Sequence, residues 1–151
     1  MGNLERATRL IDDVRAAGVR EFCVCAGSRN SPLLVVLGRG DARLFSFVDE
    51  RSAAFFALGR FKLHGQPVAI VTTSGTAVAE LLPAAVEAHY SGAPLVLITA
   101  DRPARFRETG APQSIDQIGI FGKYAETSLA SWSRTRGLHL NVEFDEPLLH
   151  A

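Results

Sequence analysis

The chain has 151 residues, enough for one domain with a real core, and 47% apolar against 21% charged residues is a globular balance, not a disordered one. Sixteen Lys and Arg offset sixteen Asp and Glu, so no net charge draws it to nucleic acid or to an anionic membrane. No apolar run reaches the roughly 20 residues of a membrane span, and the expectation is a soluble, cytoplasmic protein.

The N-terminal MGNLERATRLIDDV predicts an amphipathic helix with Leu4, Ala7, Leu10, Ile11 and Val14 on one side. It lacks the apolar run and small-residue cleavage site of a signal peptide, and Arg6 stands where a myristoylation signal wants Ser or Thr. Phe22 to Cys25 reads as a strand ended by Ala26-Gly27. Cys23 and Cys25 are two apart and share a face; without a second ligand pair, burial in the core is favoured over a metal or redox role. Ser31 before Pro32 predicts a capped helix start, with Leu33 to Leu37 behind it and Gly38 and Gly40 as its stop.

A strand over Leu44 to Val48 leads to Asp49-Glu50-Arg51-Ser52, after which Ala53, Phe56, Ala57, Leu58 and Phe61 recur at helical spacing up to His64-Gly65. Val68 to Val71 is uniformly apolar and predicts a central parallel strand. Thr72-Thr73-Ser74-Gly75-Thr76 turns into a helix over Ala77 to Tyr90, ended by Ser91-Gly92. Leu95 to Ile98 is a second buried strand before the polar turn Thr99 to Pro103. Ala104 to Phe121 reads as a surface excursion, Leu138 to Val142 as a closing strand, and Asp145-Glu146-Pro147 as its exit. This alternation predicts the α/β class, a doubly wound parallel sheet with helices on both faces.

Ligands of open parallel sheets gather at the carboxyl ends of strands. Four strand-end loops are rich in functional side chains: Gly27 to Asn30, Asp49 to Ser52, Thr73 to Thr76, and Asp101 to Pro103. Each alone admits a local role, as a cap, a helix-dipole partner or a tight turn; four on one edge point to a site. No Gly-x-Gly-x-x-Gly, phosphate-loop Gly-Lys-Ser/Thr or Gly-x-Ser-x-Gly motif occurs, which argues against dinucleotide, triphosphate and serine-hydrolase chemistry. His64, His89, His139 and His150 show no metal spacing. One acid at a strand–helix junction, two arginines and several hydroxyls suit an anionic substrate beside a cofactor.

Gly27-Ser28-Arg29-Asn30-Ser31-Pro32-Leu33, Asp49-Glu50-Arg51-Ser52-Ala53, Thr72 to Ala77, Thr99-Ala100-Asp101-Arg102-Pro103 and Gly110-Ala111-Pro112-Gln113, with the ending His139 to Phe144 and Glu146-Pro147-Leu148, occur in an order and spacing that is familiar. Over nearly its whole length the chain resembles the N-terminal pyrimidine-binding domain of the 2-succinyl-5-enolpyruvyl-6-hydroxy-3-cyclohexene-1-carboxylate synthase family of thiamine-diphosphate enzymes, transferases of menaquinone biosynthesis. The resemblance implies that Glu50 is the catalytic acid that hydrogen-bonds N1′ of the cofactor's aminopyrimidine and favours its imino tautomer. A carboxyl group withheld from water can share a proton with a ring nitrogen in this way. It further implies that Thr73, Ser74, Gly75 and Thr76 pack near the pyrimidine ring. Ser28, Arg29, Arg102 and Gln113 would hold isochorismate, since a guanidinium fork matches a carboxylate. The family's reaction decarboxylates 2-oxoglutarate and adds the resulting carbanion to isochorismate.

Asp49, Arg51 and Asp101 are expected to be local braces. Ala26 stands where the family has Pro, and the Leu129 to Gly137 stretch is shorter than the family's connecting segment and helix. The Gly-Asp-Gly and Asn that hold Mg2+ and the diphosphate are absent, so the metal is assigned to a diphosphate-binding domain and to no residue of this chain. The resemblance therefore implies a homodimer or homotetramer, with half of an active site in this chain, which by itself is inactive. An acetohydroxyacid-synthase-like enzyme, or a non-catalytic binding or assembly domain, are the alternatives.

Overall fold

Every residue of β1 (Glu21–Cys25), β3 (Val68–Thr72) and β4 (Val96–Asp101) is buried, as central parallel strands covered on both faces must be, and all but Glu21, Thr72, Thr99 and Asp101 are apolar. The computed structural model describes residues 1–149; His150, one of the four histidines without metal spacing above, and Ala151 lie outside the described residues. Three further strands, β2 (Arg43–Phe47), β5 (Ala125–Glu126) and β6 (Gly137–Glu143), complete a six-stranded sheet. Its order is β2-β1-β3-β4-β6-β5, and every pairing is parallel.

Helices α1 (Asn3–Ala16) and α2 (Ser31–Arg39) cover one face, where Ala7, Ile11, Val14, Leu33 and Leu37 meet Phe22, Val24, Ala69 and Val71. Helices α3 (Glu50–His64) and α5 (Leu82–Tyr90) cover the other, bringing Ala53, Ala57, Leu58, Ala84 and Ala88 onto Cys23, Cys25, Ile70 and Leu97. The fold is thus the doubly wound α/β sheet that the sequence predicts. The two free cysteines share the α3 face, and burial pushes both thiols up to about 12. The chain leaves β1 for β2 by way of α2, then recrosses by way of α3 to β3 on the far side of β1. The winding therefore reverses between β1 and β3, the place in an open α/β sheet beyond whose strand ends ligands bind.

Several local expectations are corrected. The helix over 77–90 is two pieces, α4 (Thr76–Ala79) and α5, because Pro83 has no N–H to give and its ring clashes with the carbonyl four residues back. Ser31 is the first helical residue and not the cap; Asn30 holds the cap position, with its side chain turned elsewhere. Helix α2 runs through Gly38 and ends at Gly40, and β2 stops at Phe47, leaving Val48 outside the strand.

The polar stretch Thr99 to Asp101 is not a turn but the buried end of β4. The excursion 104–121 is not wholly on the surface, since Gln117 and Phe121 anchor it in the interior. Strand β5 was not predicted, because two residues leave no alternation to read. The connection from β5 to β6 spans residues 127–136 without a helix; Trp132 fills the α1-side core instead and donates its indole N–H to the Arg136 carbonyl at 2.8 Å.

Candidate active site

Because all strands are parallel, their carboxyl ends share one edge. The register aligns Cys25 with Phe47, Thr72 with Thr99, and Asp101 with Glu143. The four loops singled out in the sequence therefore meet there.

The loop after β1 is folded by Asn30. Its buried carboxamide accepts the Gly27 N–H at 2.9 Å and donates to the Cys25 carbonyl at 2.8 Å. This draws Gly27 onto the loop after β3 so closely that a Cβ there would lie 2.6 Å from the Thr73 Cβ. Thr73 is only 6% exposed, and its hydroxyl has no hydrogen-bond partner. Such an orphan is costly in a finished interior, which marks it as a group awaiting a partner. Gly75 follows at φ 83° and ψ −143°, a conformation that essentially only glycine adopts. Its neighbour Ser74 donates its hydroxyl to the Gln113 carbonyl at 2.9 Å, and the Gln113 side chain returns a bond to the Ser74 carbonyl at 3.1 Å. Thr76 is exposed at the start of α4.

Glu50 is the first residue of α3. The cap beneath it is Asp49, whose carboxylate accepts the Ser52 N–H at 2.6 Å; that makes Asp49 a brace. Glu50 itself is half-buried, and its carboxylate makes no hydrogen bond among the described residues. Within this chain the acid is thus neither withheld from water nor committed to another side chain.

The residues matched to substrate binding divide into two groups. Arg102 and Gln113 come together, for Arg102 donates its Nε–H to the Pro112 carbonyl at 3.0 Å and lies 5.7 Å from the Phe106 ring centre. The terminal nitrogens of Arg102 make no hydrogen bond among the described residues. Ser28 is exposed on the neighbouring loop. Arg29 differs: it is 5% exposed, donates to the Phe144 carbonyl at 2.9 Å and pairs with Glu146 at 2.9 Å. Its fork is occupied by the chain's own closing segment.

Behind these loops lies a buried polar chain that the sequence reading missed. Asp101 is buried, accepts the Arg102 N–H at 2.7 Å and the Asn141 amide at 2.9 Å, and lies 3.6 Å from Arg107, which also pairs with Glu143. Thr99 links Asn141 to His139, and Gln117 bridges Gly75, Ala100 and Asn141. Thr99 with Asp101, and His139 with Asn141 and Glu143, recur at period two. That alternation was the available signal for a polar face inside the sheet.

The family described as thiamine pyrophosphate enzyme, N-terminal TPP binding domain, matches residues 5–120. Among curated proteins, the 2-succinyl-5-enolpyruvyl-6-hydroxy-3-cyclohexene-1-carboxylate synthase of Bdellovibrio bacteriovorus is 49% identical over 161 residues, covering 99% of this chain and 31% of the relative. The Geobacillus kaustophilus protein of the same name is 51% identical over 169 residues, covering 95% and 29%. That of Roseiflexus castenholzii is 50% identical over 128 residues, covering 84% and 22%. The chain therefore spans less than a third of the length of these relatives. The 169-residue alignment is longer than the 151-residue chain, so that relative holds residues with no counterpart here.

Proposed function

Since the chain belongs to the thiamine pyrophosphate enzymes, as their N-terminal TPP binding domain, we propose that it forms the pyrimidine-binding half of a transferase active site. The relatives are named for the synthesis of 2-succinyl-5-enolpyruvyl-6-hydroxy-3-cyclohexene-1-carboxylate; the reading for this chain's parent enzyme is the reaction implied by the resemblance, in which 2-oxoglutarate and isochorismate are joined, with loss of CO2, in menaquinone biosynthesis. The observation that carries this reading is a pair of unclaimed polar groups on one sheet edge, the Glu50 carboxylate and the buried Thr73 hydroxyl.

These groups fit an aminopyrimidine. A ring nitrogen needs one acid free of other partners, which Glu50 offers from the first turn of α3, and an exocyclic amine needs an acceptor, which Thr73 offers. Glycine at 27 and 75 lets the loop after β3 lie directly against the loop after β1 and against Gln113, with Ser74 and Thr76 flanking Gly75 on the same strand end. Thiamine diphosphate, when bound, supplies the carbanion chemistry; the protein supplies position and tautomer. Glu50 holds or returns a proton at the pyrimidine nitrogen. Mg2+ and the diphosphate are held by a part of the enzyme outside this chain.

Arg102 offers its two unengaged terminal nitrogens to the isochorismate carboxylates, with Gln113 beside it and Ser28 on the loop after β1. Arg29 can join them when Glu146 gives way. The Glu146 side chain is 60% exposed and can move into water, while the buried Arg29 needs a substrate carboxylate in its place to keep its charge paired. The reading carries with it a cytoplasmic homodimer or homotetramer, in which another subunit closes this edge of the sheet. It also carries a crossover shortened between about 129 and 137 relative to the family.

The test is Glu50→Gln in the full-length enzyme. The expected outcome is retained thiamine diphosphate binding with turnover lowered by roughly two orders of magnitude or more, the scale of a lost general acid–base group. Near-normal turnover would remove Glu50 from its role and the proposal with it.

A further inference from the structure

We propose that Gln117 is a positioning residue, setting the Thr73–Thr76 turn against the strand end that carries Arg102; this rests on the reading of that edge as a thiamine-diphosphate site. Gln117 lies in the irregular 104–121 stretch, yet it is wholly buried, at 0% exposed. Both ends of its carboxamide are used. Oε1 accepts the Gly75 N–H at 3.1 Å, and Nε2 donates to the Ala100 carbonyl at 3.0 Å and to Asn141 Oδ1 at 2.7 Å. One side chain thereby ties the loop after β3 to β4, two residues before Arg102, and to β6.

The bonds can run in only one direction. Asn141 turns its amide nitrogen to Asp101 at 2.9 Å, so its oxygen faces Gln117 and the Thr99 hydroxyl. Thr99 gives its proton to Asn141 at 2.9 Å, which leaves its oxygen to accept from His139 Nε2 at 2.8 Å. His139 then carries a proton on Nε2, and burial, which drives its pKa down to about 4, favours the neutral ring. Gln117 therefore has to donate toward Asn141 and accept from Gly75. Gly75 sits in a conformation without side-chain constraint, so the direction of its N–H depends on what holds it. Gln117 is that anchor on the inner side, and the Ser74–Gln113 exchange is its counterpart outside.

The experiment compares Gln117→Glu and Gln117→Leu in the full-length enzyme. Glutamate keeps the shape and the acceptor for Gly75. When ionised it loses the donor and sets an anion against the Ala100 carbonyl and Asn141 Oδ1; when protonated it copies both ends of glutamine. The titratable groups around it are Asp101 and His139, reached through Asn141 and Thr99, and the Arg107–Glu143 pair beside Asp101. Gln117→Glu is expected to weaken thiamine diphosphate binding by about tenfold or more at pH 8 and to recover most of it near pH 6, while Gln117→Leu stays weak at both. Amide hydrogen exchange at Gly75 should quicken in Gln117→Leu, and in Gln117→Glu at pH 8 only, once corrected for intrinsic rates.

Cofactor affinity and Gly75 exchange unchanged in both variants would overturn the proposal. So would loss of folding in both at every pH, since Gln117 would then be a core group and nothing more. Absence of thiamine diphosphate binding by the unsubstituted enzyme would remove the functional reading instead. Gly75 exchange would still report on Gln117 in that case, so the two failures are distinct.

Discussion

Glu21 opens β1 at the edge of the sheet opposite the site, and it is the group whose removal has the clearest energetic signature. It is buried, and Arg60 of α3 grips it with two bonds, Nε to Oε2 at 2.9 Å and a terminal nitrogen to Oε1 at 2.6 Å. His64 adds a contact at 3.1 Å, and Arg43 of β2 stands 3.6 Å away. The Arg60 hydrogen bonds, opposed by burial and helped by His64, bring the carboxyl from 4.5 down to about 2. Each pKa unit corresponds to about 1.4 kcal/mol, so the ionised carboxylate contributes at most about 3 kcal/mol to folding at pH 7. The folded pKa is the lower one, so this contribution is complete above 4.5 and drains away as pH falls toward 2; by pH 3 about 1.4 kcal/mol is left. Glu21→Gln keeps the shape and removes the charge. Urea unfolding of both proteins at pH 7 and pH 3 should show the stability gap narrowing by about 2 kcal/mol at the lower pH. A gap of equal size at both pH values would refute the clamp as an electrostatic device.

Gly27→Ala forces a Cβ to within 2.6 Å of the Thr73 Cβ, and Gly75→Ala adds one 3.1 Å from the Gln113 carbonyl at a positive φ. Each should cost about 1–3 kcal/mol in urea unfolding and weaken cofactor binding in the full-length enzyme; an alanine at either position with unchanged stability and affinity would contradict the close approach. Cys23 and Cys25 remain thiols at neutral pH, because burial raises both to about 12. They should resist a thiol-reactive reagent at pH 8 in the native protein and both react in denaturant, and rapid native labelling would show that the α3 face opens.

The sheet was legible because its central strands are short apolar runs and its helices carry period-3.6 faces, both set by nearby residues. That the four polar loops share one edge was legible too, because parallel strands deliver their ends to one side. What the sequence hid depends on distant partners. Thr99 and Asp101 read as a polar turn because the residues that make them tolerable inside β4, His139 and Asn141, lie forty positions away. Gln117 looked like a loop residue, since nothing local shows that a backbone N–H, a carbonyl and an amide oxygen converge on it. The Arg29 fork looked free because the Phe144 carbonyl that engages it is 115 residues distant. Pro83 is the contrary case, a local signal strong enough to have divided the helix on sight.

Helix α3 joins these threads. Asp49 caps its start, the Glu21–Arg60 pair pins its last turns to β1, and Glu50 stands at its first position, a helix length of about 22 Å from the far end. Between Ala53 and Gly59 the helix is apolar on every side: Ala53, Ala54, Ala57 and Leu58 are buried, while Phe55 and Phe56 stay exposed, as do Leu63 in its last turn and Val48 just before it, the latter 99% exposed. Phe56 leans on Phe45 and Phe47 of the edge strand at 4.9 and 5.1 Å, extending that apolar surface onto β2. An outward face of this kind asks to be covered. In the proposed enzyme a subunit seated on this face would also take water away from the half-buried Glu50. On that proposal a carboxyl solvated in the free domain would become, on assembly, one that can share a proton with a ring nitrogen.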